Sequence, residues 1–246
     1  MVQQTALITG ANKGIGFAIA KQLAEQGFFV WLGCRDVERG ERAAQTLRDL
    51  GLQAQALILD VADDESVRTA ADRLEDAKLS LDVLVNNAGM HFGLPPRPSE
   101  EPVDQMRAMI EVNALGPVRV TQAFLPLLRR APAARIVMIS SGLGSLEATT
   151  DMTSENWTVG FAGYCASKAA LNMFTLKLAK DLMDEGIKVN AVDPGLTATD
   201  LTGQMGERTP EVAAAIAVRL ATVDGLGPTG GFFHDGIAAP LPRHRW

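Results

Sequence analysis

Short apolar runs alternate with longer amphipathic stretches along the whole chain. The runs "TALIT" (5–9), "FFVWLG" (28–33), "AQALIL" (54–59), "DVLVNN" (82–87), "RIVMIS" (135–140), "IKVNAV" (187–192) and "GGFF" (230–233) are bounded by turn formers and predict strands. Between them the apolar positions recur at helical spacing. In "GFAIAKQLAEQG" (16–27), Phe17, Ala20, Leu23 and Ala24 share one side and Gly27 ends the pattern. Further helices are predicted over 37–51, over 63–77 with acidic residues in the first turn, over 103–130 with a bend at Gly116–Pro117, over 163–186 and over 210–222.

Strict β/α alternation with strands apolar on both sides predicts an α/β fold: a single-domain, doubly wound parallel sheet of Rossmann type with helices on both faces. Each crossover is expected to be right-handed. No linker or low-complexity segment interrupts the pattern, so residues 1–246 read as one domain, and the tail "APLPRHRW" (239–246) is expected on the surface. Three connections break the rhythm, at 90–102, 141–160 and 195–210. All three leave the C-terminal ends of strands, where open α/β sheets bind ligands, and are expected to wall a pocket.

Composition narrows the choice of partner. Apolar residues are 47% and charged residues 21%, an ordinary globular balance. The net charge of -6 argues against a nucleic-acid-binding face. Arg35, Arg39 and Arg42 are interleaved with Asp36, Glu38 and Glu41, a pattern that by itself reads as a solvated helix face. The two cysteines, Cys34 and Cys165, are far apart and fit a reducing cytoplasm. The start "MVQQTALITG" has neither the basic nor the apolar region of a signal peptide, and no run reaches the roughly 18 apolar residues of a membrane span. His91, His234 and His244 show no metal-ligand spacing.

The chemistry begins at "TGANKGIG" (9–16), which joins the first strand to the first helix. Glycines there allow a tight turn and let backbone N–H groups approach a pyrophosphate at the positive end of the helix. Gly10, Asn12, Lys13, Gly14, Ile15 and Gly16 are therefore expected to contact a dinucleotide. A site for NAD needs a carboxylate at the end of the second strand to hold the ribose hydroxyls. Cys34 occupies that place, followed by Arg35 and, one turn on, Arg39, which could pair with a 2′-phosphate. Lys13 could add charge, so the expected cofactor is NADP(H). Asp36 would become a ribose ligand, and NAD the cofactor, if the strand ran two residues further. Asp60 and Val61 end the third strand near the expected adenine; Asp60 could instead cap the next helix.

"GYCASKAAL" (163–171) holds the only tyrosine of the chain, with a lysine four positions on. Tyr164 and Lys168 thus share a helix face. A neighbouring ammonium lowers the pKa of a phenol and suits it to acid–base work. Taken with "TGANKGIG", "NNAG" (86–89), Asn113 in "EVNALG", Ser141 in "MISSG" and "DPGLTAT" (193–199), in that order, the chain resembles the short-chain dehydrogenase/reductase family over about residues 5–235. The wording of "TGANKGIG", "CRDVERG" and "LDVLVNNAGM" is most similar to its NADPH-dependent carbonyl reductases.

That resemblance implies roles. Tyr164 would give a proton to the carbonyl oxygen, Lys168 would hold the nicotinamide ribose and depress the Tyr164 pKa, and both would line the nicotinamide end of the cofactor. Ser141, rather than Ser140, would bond the substrate carbonyl. Asn113 would hold a water linking Lys168 to solvent. Asn87 would support the adenine side. Pro194 and Gly195 would shape the wall by the nicotinamide, with Thr197 and Thr199 reaching the carboxamide or pyrophosphate; Thr197 reads equally as a turn hydroxyl. The implied partner is a small carbonyl or alcohol substrate. Ser141 and Tyr164 stand 164 − 141 = 23 positions apart, more than the family usually has. The extra residues include Trp157 and could obstruct helix-to-helix association, leaving monomer and homo-oligomer both open. Met90, Phe92, Trp157, Phe161 and Met205 would suit an apolar ketone or aldehyde. An NAD-dependent alcohol dehydrogenase and a non-catalytic NADP(H) sensor are the rival readings.

Overall fold

Successive residues of β1 (Thr5–Thr9) point to opposite sides of the sheet, so Ala6 and Ile8 join one buried cluster and Leu7 the other. The computed structural model describes residues 3–93, 97–153, 155–234 and Trp246. The remaining strands are β2 (Phe29–Cys34), β3 (Ala54–Ile58), β4 (Val83–Asn86), β5 (Arg135–Ile139), β6 (Lys188–Asp193) and β7 (Phe232–His234). They form one sheet in the order β3-β2-β1-β4-β5-β6-β7 with every pairing parallel. Ala6 pairs with Val30 on one side and Val83 on the other, so the strand order reverses at β1 and opens a crevice at its C-terminal end.

Helices cover both faces. Ile19 and Leu23 of α1 (Gly14–Glu25), Leu47 of α2 (Val37–Asp49) and Leu220 of α8 (Pro210–Ala221) fill one core. Leu74 of α3 (Asp64–Asp76), Phe124 of α5 (Gly116–Arg130) and Leu171 of α7 (Ala162–Asp181) fill the other. Side chains start several of these helices: Asp36 accepts from Arg39 N at 2.9 Å and Asp63 from Ser66 N at 3.0 Å.

The helix expected over 103–130 is α4 (Val103–Ile110), a π-helical turn over Glu111–Leu115, then α5. The irregularity lies just before Gly116–Pro117 rather than at it. Pro117 has no N–H to give to the turn before it, and Gly116 N donates instead to Glu111 O in the wider π register. A Cβ on Gly116 would come within 3.0 Å of Val61, so glycine lets the helix close on the end of β3. The helix expected to reach 186 stops at Asp181, and tight turns carry the chain to Gly186, at φ 74°. The 141–160 connection is not extended: it holds a 3₁₀ turn at Gly142–Gly144, the helix α6 (Leu146–Thr150) and a second 3₁₀ turn at Glu155–Thr158. Most of the tail, 235–245, lies outside the described residues; its last residue, Trp246, stacks on Phe232 at 5.6 Å and is half-buried rather than on the surface.

Candidate active site

The crevice is lashed shut at its base. Thr9 Oγ1 accepts from Asn87 N and Ala88 N, both at 2.9 Å, and Asn87 Nδ2 donates to Thr9 O at 2.8 Å and Gly10 O at 3.2 Å. Above this, Gly10 and Gly14 adopt φ of 65° and 58°, where a side chain would be strained. A Cβ on Gly16 would lie 2.4 Å from Asn87 Nδ2 and 2.6 Å from Gly10 O. The start of α1 has no side-chain cap and no acidic residue in its first turn. Its free N–H groups and helix dipole therefore fit the pyrophosphate of a dinucleotide. The Ile15 side chain is partly buried against the core.

β2 ends at Cys34 and does not run on to Asp36. Asp36 is occupied elsewhere: it caps α2, pairs with Arg39 at 3.5 Å, and the Arg39 N–H holds its carboxyl below the usual carboxylate range. Burial pushes the Cys34 thiol up to about 11, with the Ala11 and Asn12 N–H groups pulling the other way. A cleft of about 640 Å³ opens beside the glycine loop, lined in part by Asn12, Lys13, Arg39, Arg42 and Asp200. Lys13 and Asp200 form an ion pair at 2.7 Å across its mouth. Arg35 is exposed and does not line this cleft, whereas Arg42, which read as solvated helix surface, does. Asp60 does not cap α3, a task taken by Asp63; its side chain accepts from Ala62 N at 3.0 Å. Val61 is buried, and its carbonyl accepts from Arg119 at 2.7 Å.

A second group of polar side chains is built on α7. Tyr164, half-buried, and Lys168, 4% exposed, share its face, with the ammonium 5.7 Å from the phenol ring centre. Lys168 Nζ donates to Ile139 O at 2.8 Å. Burial holds its pKa down to about 8, opposed by the Asp193 carboxylate. Burial also pushes the Tyr164 phenol well above its usual range; a hydrogen bond with Ser141 opposes this and Asp193 adds to it. The net direction is upward, opposite to the lowering expected from Lys168, with burial as the largest cause.

Ser141 extends from the end of β5, where its side chain accepts from Leu143 N at 3.2 Å. Ser140 is buried and donates to Asn172 Oδ1 at 2.6 Å, which leaves Ser141 as the serine beside Tyr164. Asn172 also donates to Gly144 O at 3.1 Å. A Cβ on Gly144 would lie 2.7 Å from the Lys168 backbone, so the 3₁₀ turn sits directly on α7. Asn172 continues the Tyr164–Lys168 stripe by four residues, a signal present in the sequence and missed.

Asn113 lies in the π turn, fully buried. It accepts from Met90 N at 2.8 Å and donates to Met90 O at 2.9 Å and Ser167 Oγ at 3.0 Å. Gly89 lies between the two side chains: a Cβ on it would be in ordinary contact with Asn113 Oδ1 at 3.5 Å and Lys168 Nζ at 3.8 Å. His91, not anticipated, stands edge-on to Tyr164 at 5.9 Å and 5.8 Å from Phe161. On the connection after β6, Gly195 (φ 70°) packs against Arg208, and the Arg208 guanidinium donates to Pro194 O at 3.3 Å. Thr197 is buried and donates to Gly195 O at 3.0 Å, the turn-hydroxyl arrangement. Thr199 reaches the glycine loop, where a Cβ on Gly14 would meet its methyl at 3.5 Å.

Known proteins resemble this chain in sequence and in fold. The family model described as short chain dehydrogenase matches residues 4–210. The chain is 34% identical to (-)-isopiperitenone reductase of Mentha piperita, over 98% of this chain and 99% of the relative. Its fold superposes on the NADPH-bound carbonyl reductase from chicken fatty liver with a TM-score of 0.85 at 28% identity, covering 100% of both chains. It also superposes on a 3-oxoacyl-[acyl-carrier protein] reductase with bound NAD from Brucella melitensis, with a TM-score of 0.80 at 28% identity over 94% of this chain and 88% of that one. Among the described residues no helix is long and apolar enough to cross a membrane. The chain is an oxidoreductase and belongs to the short-chain dehydrogenase/reductase family.

Proposed function

We propose that the whole chain is one cofactor-binding and catalytic unit that reduces a ketone or aldehyde to an alcohol with NADPH, reversibly. Two observations carry this reading together: a phenol, a serine and a buried ammonium are brought together by α7 and the end of β5, and a cluster of cations lines the cleft beside the glycine loop. When bound, the reduced nicotinamide supplies the hydride that the carbonyl carbon accepts. Ser141 and Tyr164 donate hydrogen bonds to the oxygen as its charge grows, the kind of stabilisation that dominates many such reactions. Tyr164 then gives up its proton to form the alcohol. Lys168 returns a proton to the phenolate, and a water between Asn113 and Lys168 links the pair to solvent. Lys168 also holds the nicotinamide ribose, with Pro194, Gly195, Thr197 and Thr199 at the same end.

NADP over NAD rests on what surrounds the end of β2. Cys34 stands in the place of a ribose-binding carboxylate, and Asp36 is spent on capping α2. Lys13, Arg39 and Arg42 line the cleft, with Arg35 exposed nearby. The exposed apolar residues Phe92, Trp157 and Met205, one on each long connection, support an apolar substrate. The two unpaired cysteines support a reducing, cytoplasmic setting.

The test follows loss of reduced-nicotinamide absorbance with a panel of aldehydes, ketones and quinones, with NADPH and NADH in parallel. Turnover should be well above background only with NADPH. Arg39→Ala combined with Arg42→Ala should weaken NADPH roughly 10- to 100-fold and leave NADH nearly unchanged, since charge-assisted bonds to a phosphate are lost. Equal loss with both cofactors would sink the 2′-phosphate assignment. NADPH binding without turnover on any carbonyl would sink the carbonyl substrate class.

A further inference from the structure

A carboxylate is buried beside the first turn of the helix that carries Tyr164. Glu101 is 6% exposed and has no ion-pair partner among the described residues. Both of its oxygens accept from one donor, Gly163 N, at 3.2 and 3.1 Å. Gly163 is the residue before Tyr164. The helix needs such a partner, because Phe161 stands at its N-cap and offers no side-chain oxygen to the orphan N–H groups. A carboxylate there also meets the positive end of the helix dipole. Gly163 admits nothing larger: a Cβ would lie 2.6 Å from Met109 Cε, 2.8 Å from Glu101 Oε1 and 2.9 Å from Met106 Cγ.

Glu101 closes a frame. The connection after β4 is clamped near its start, where Asn113 grips both backbone groups of Met90. It is clamped at its end by Glu101 on Gly163, just ahead of α4. Between the clamps, His91 lies against the Tyr164 ring at 5.9 Å. The phenol is therefore framed by one connection held at two points, both on buried polar groups.

We propose that Glu101 is a positioning residue for the carbonyl reduction proposed above, on which this role rests: it sets the first turn of α7 and so the place of the Tyr164 hydroxyl relative to Ser141 and the nicotinamide. It acts through Gly163 and touches neither substrate nor cofactor. The acceptor's reach and length matter, so a glutamine replaces it and a shorter aspartate does not.

The experiment compares Glu101→Ala, Glu101→Gln and Glu101→Asp in the full chain, with Tyr164→Phe and the packing control Met106→Ala. The readouts are kcat, KM, NADPH affinity, thermal midpoint and the isotope effect from 4-deuterated reduced nicotinamide. In Glu101→Ala kcat should fall roughly 100-fold, the size expected when a reacting group is misplaced by about 1 Å. NADPH affinity should stay within about twofold and the isotope effect should rise, since the loss falls on the chemical step. Glu101→Gln should stay within about threefold of wild type and Glu101→Asp should fall clearly below it; that contrast decides the matter if Glu101→Ala does not fold. Aspartate rescuing while glutamine does not would overturn the proposal, as would an equal kcat loss in Met106→Ala at an equal loss of thermal midpoint. Inactive Tyr164→Phe beside near-normal Glu101→Ala overturns the positioning role alone. Active Tyr164→Phe overturns the proposed reaction and this role with it.

Discussion

The cofactor side and the catalytic side of the candidate site are made of different material. Around β1 the wall is mainly backbone, the glycine loop and the bare start of α1 braced by the Asn87 amide, with the Lys13, Arg39 and Arg42 side chains added beside it. Around β4 to β6 it is made of side chains held by other groups: Asn113 on Met90, Ser140 on Asn172, Glu101 on Gly163, Lys168 on Ile139. Both dinucleotides present the same pyrophosphate, and main-chain groups suffice to meet it. A reaction needs a proton at one point in space, and only a braced side chain puts it there. Each side should then fail in its own way when broken.

The largest failure belongs to the catalytic side. Tyr164→Phe removes one oxygen and leaves the helix and the cleft intact. Turnover should fall about 10³-fold or more, the contribution of a positioned acid together with its share of oxyanion stabilisation. NADPH affinity, measured by quenching or calorimetry, should hold within a small factor. A parallel loss of affinity would mean that Tyr164 mainly shapes the cofactor site, and the contrast between the two sides would fail.

The cofactor side should fail through binding and stability instead. Gly16→Ala places a methyl 2.4 Å from Asn87 Nδ2 and 2.6 Å from Gly10 O. The amide can swing away, but the Gly10 carbonyl belongs to the loop itself. Overpacking of this kind costs about 1–3 kcal/mol, which urea unfolding of the apoprotein would register. Cofactor affinity should fall with it, while kcat at saturating NADPH should change little. A large kcat effect with unchanged affinity would reverse the expectation.

The same division explains what could be read from the chain beforehand. The sheet and most helices were legible because their burial repeats at two or at about three and a half residues, as in Ala6 and Ile8 against Leu7. The glycine loop was legible because glycine marks where backbone must come close. Tyr164 and Lys168 were legible because four residues is one helical turn. Glu101 and Gly163 are |i−j| = 62 apart and Asn113 and Met90 are 23 apart, and no local spacing announces either pair. Arg42 is on the solvated helix face that the charge pattern predicts, paired with Glu38 at 3.5 Å, but the cleft it also lines includes Lys13 and Asp200, far away in sequence, and no local spacing announces that. The bend expected at Gly116–Pro117 gives way to a π turn just before it, which the proline marks only from its C-terminal side.

The smallest effect tests what bracing a side chain costs while no nucleotide is bound. Lys168 has a pKa of about 8 in the folded chain against 10.5 for the free side chain, with burial as the main cause. Between those values the unfolded chain holds a proton that the folded chain does not, so stability from this group rises as pH rises through that window. Cys34, raised from 9.0 to about 11, works the other way, because it stays protonated when folded and ionises when unfolded. Tyr164, raised above 10.0, does the same at higher pH. Both remain in Lys168→Met, so the informative quantity is the difference between the two proteins and not either slope alone. In urea unfolding without nucleotide, wild type should gain about 1–2 kcal/mol on Lys168→Met between roughly pH 7.5 and pH 9.5. A flat difference would mean that the ammonium is as well solvated when folded as when unfolded. The catalytic side would then carry no electrostatic cost, and its contrast with the cofactor side would reduce to geometry.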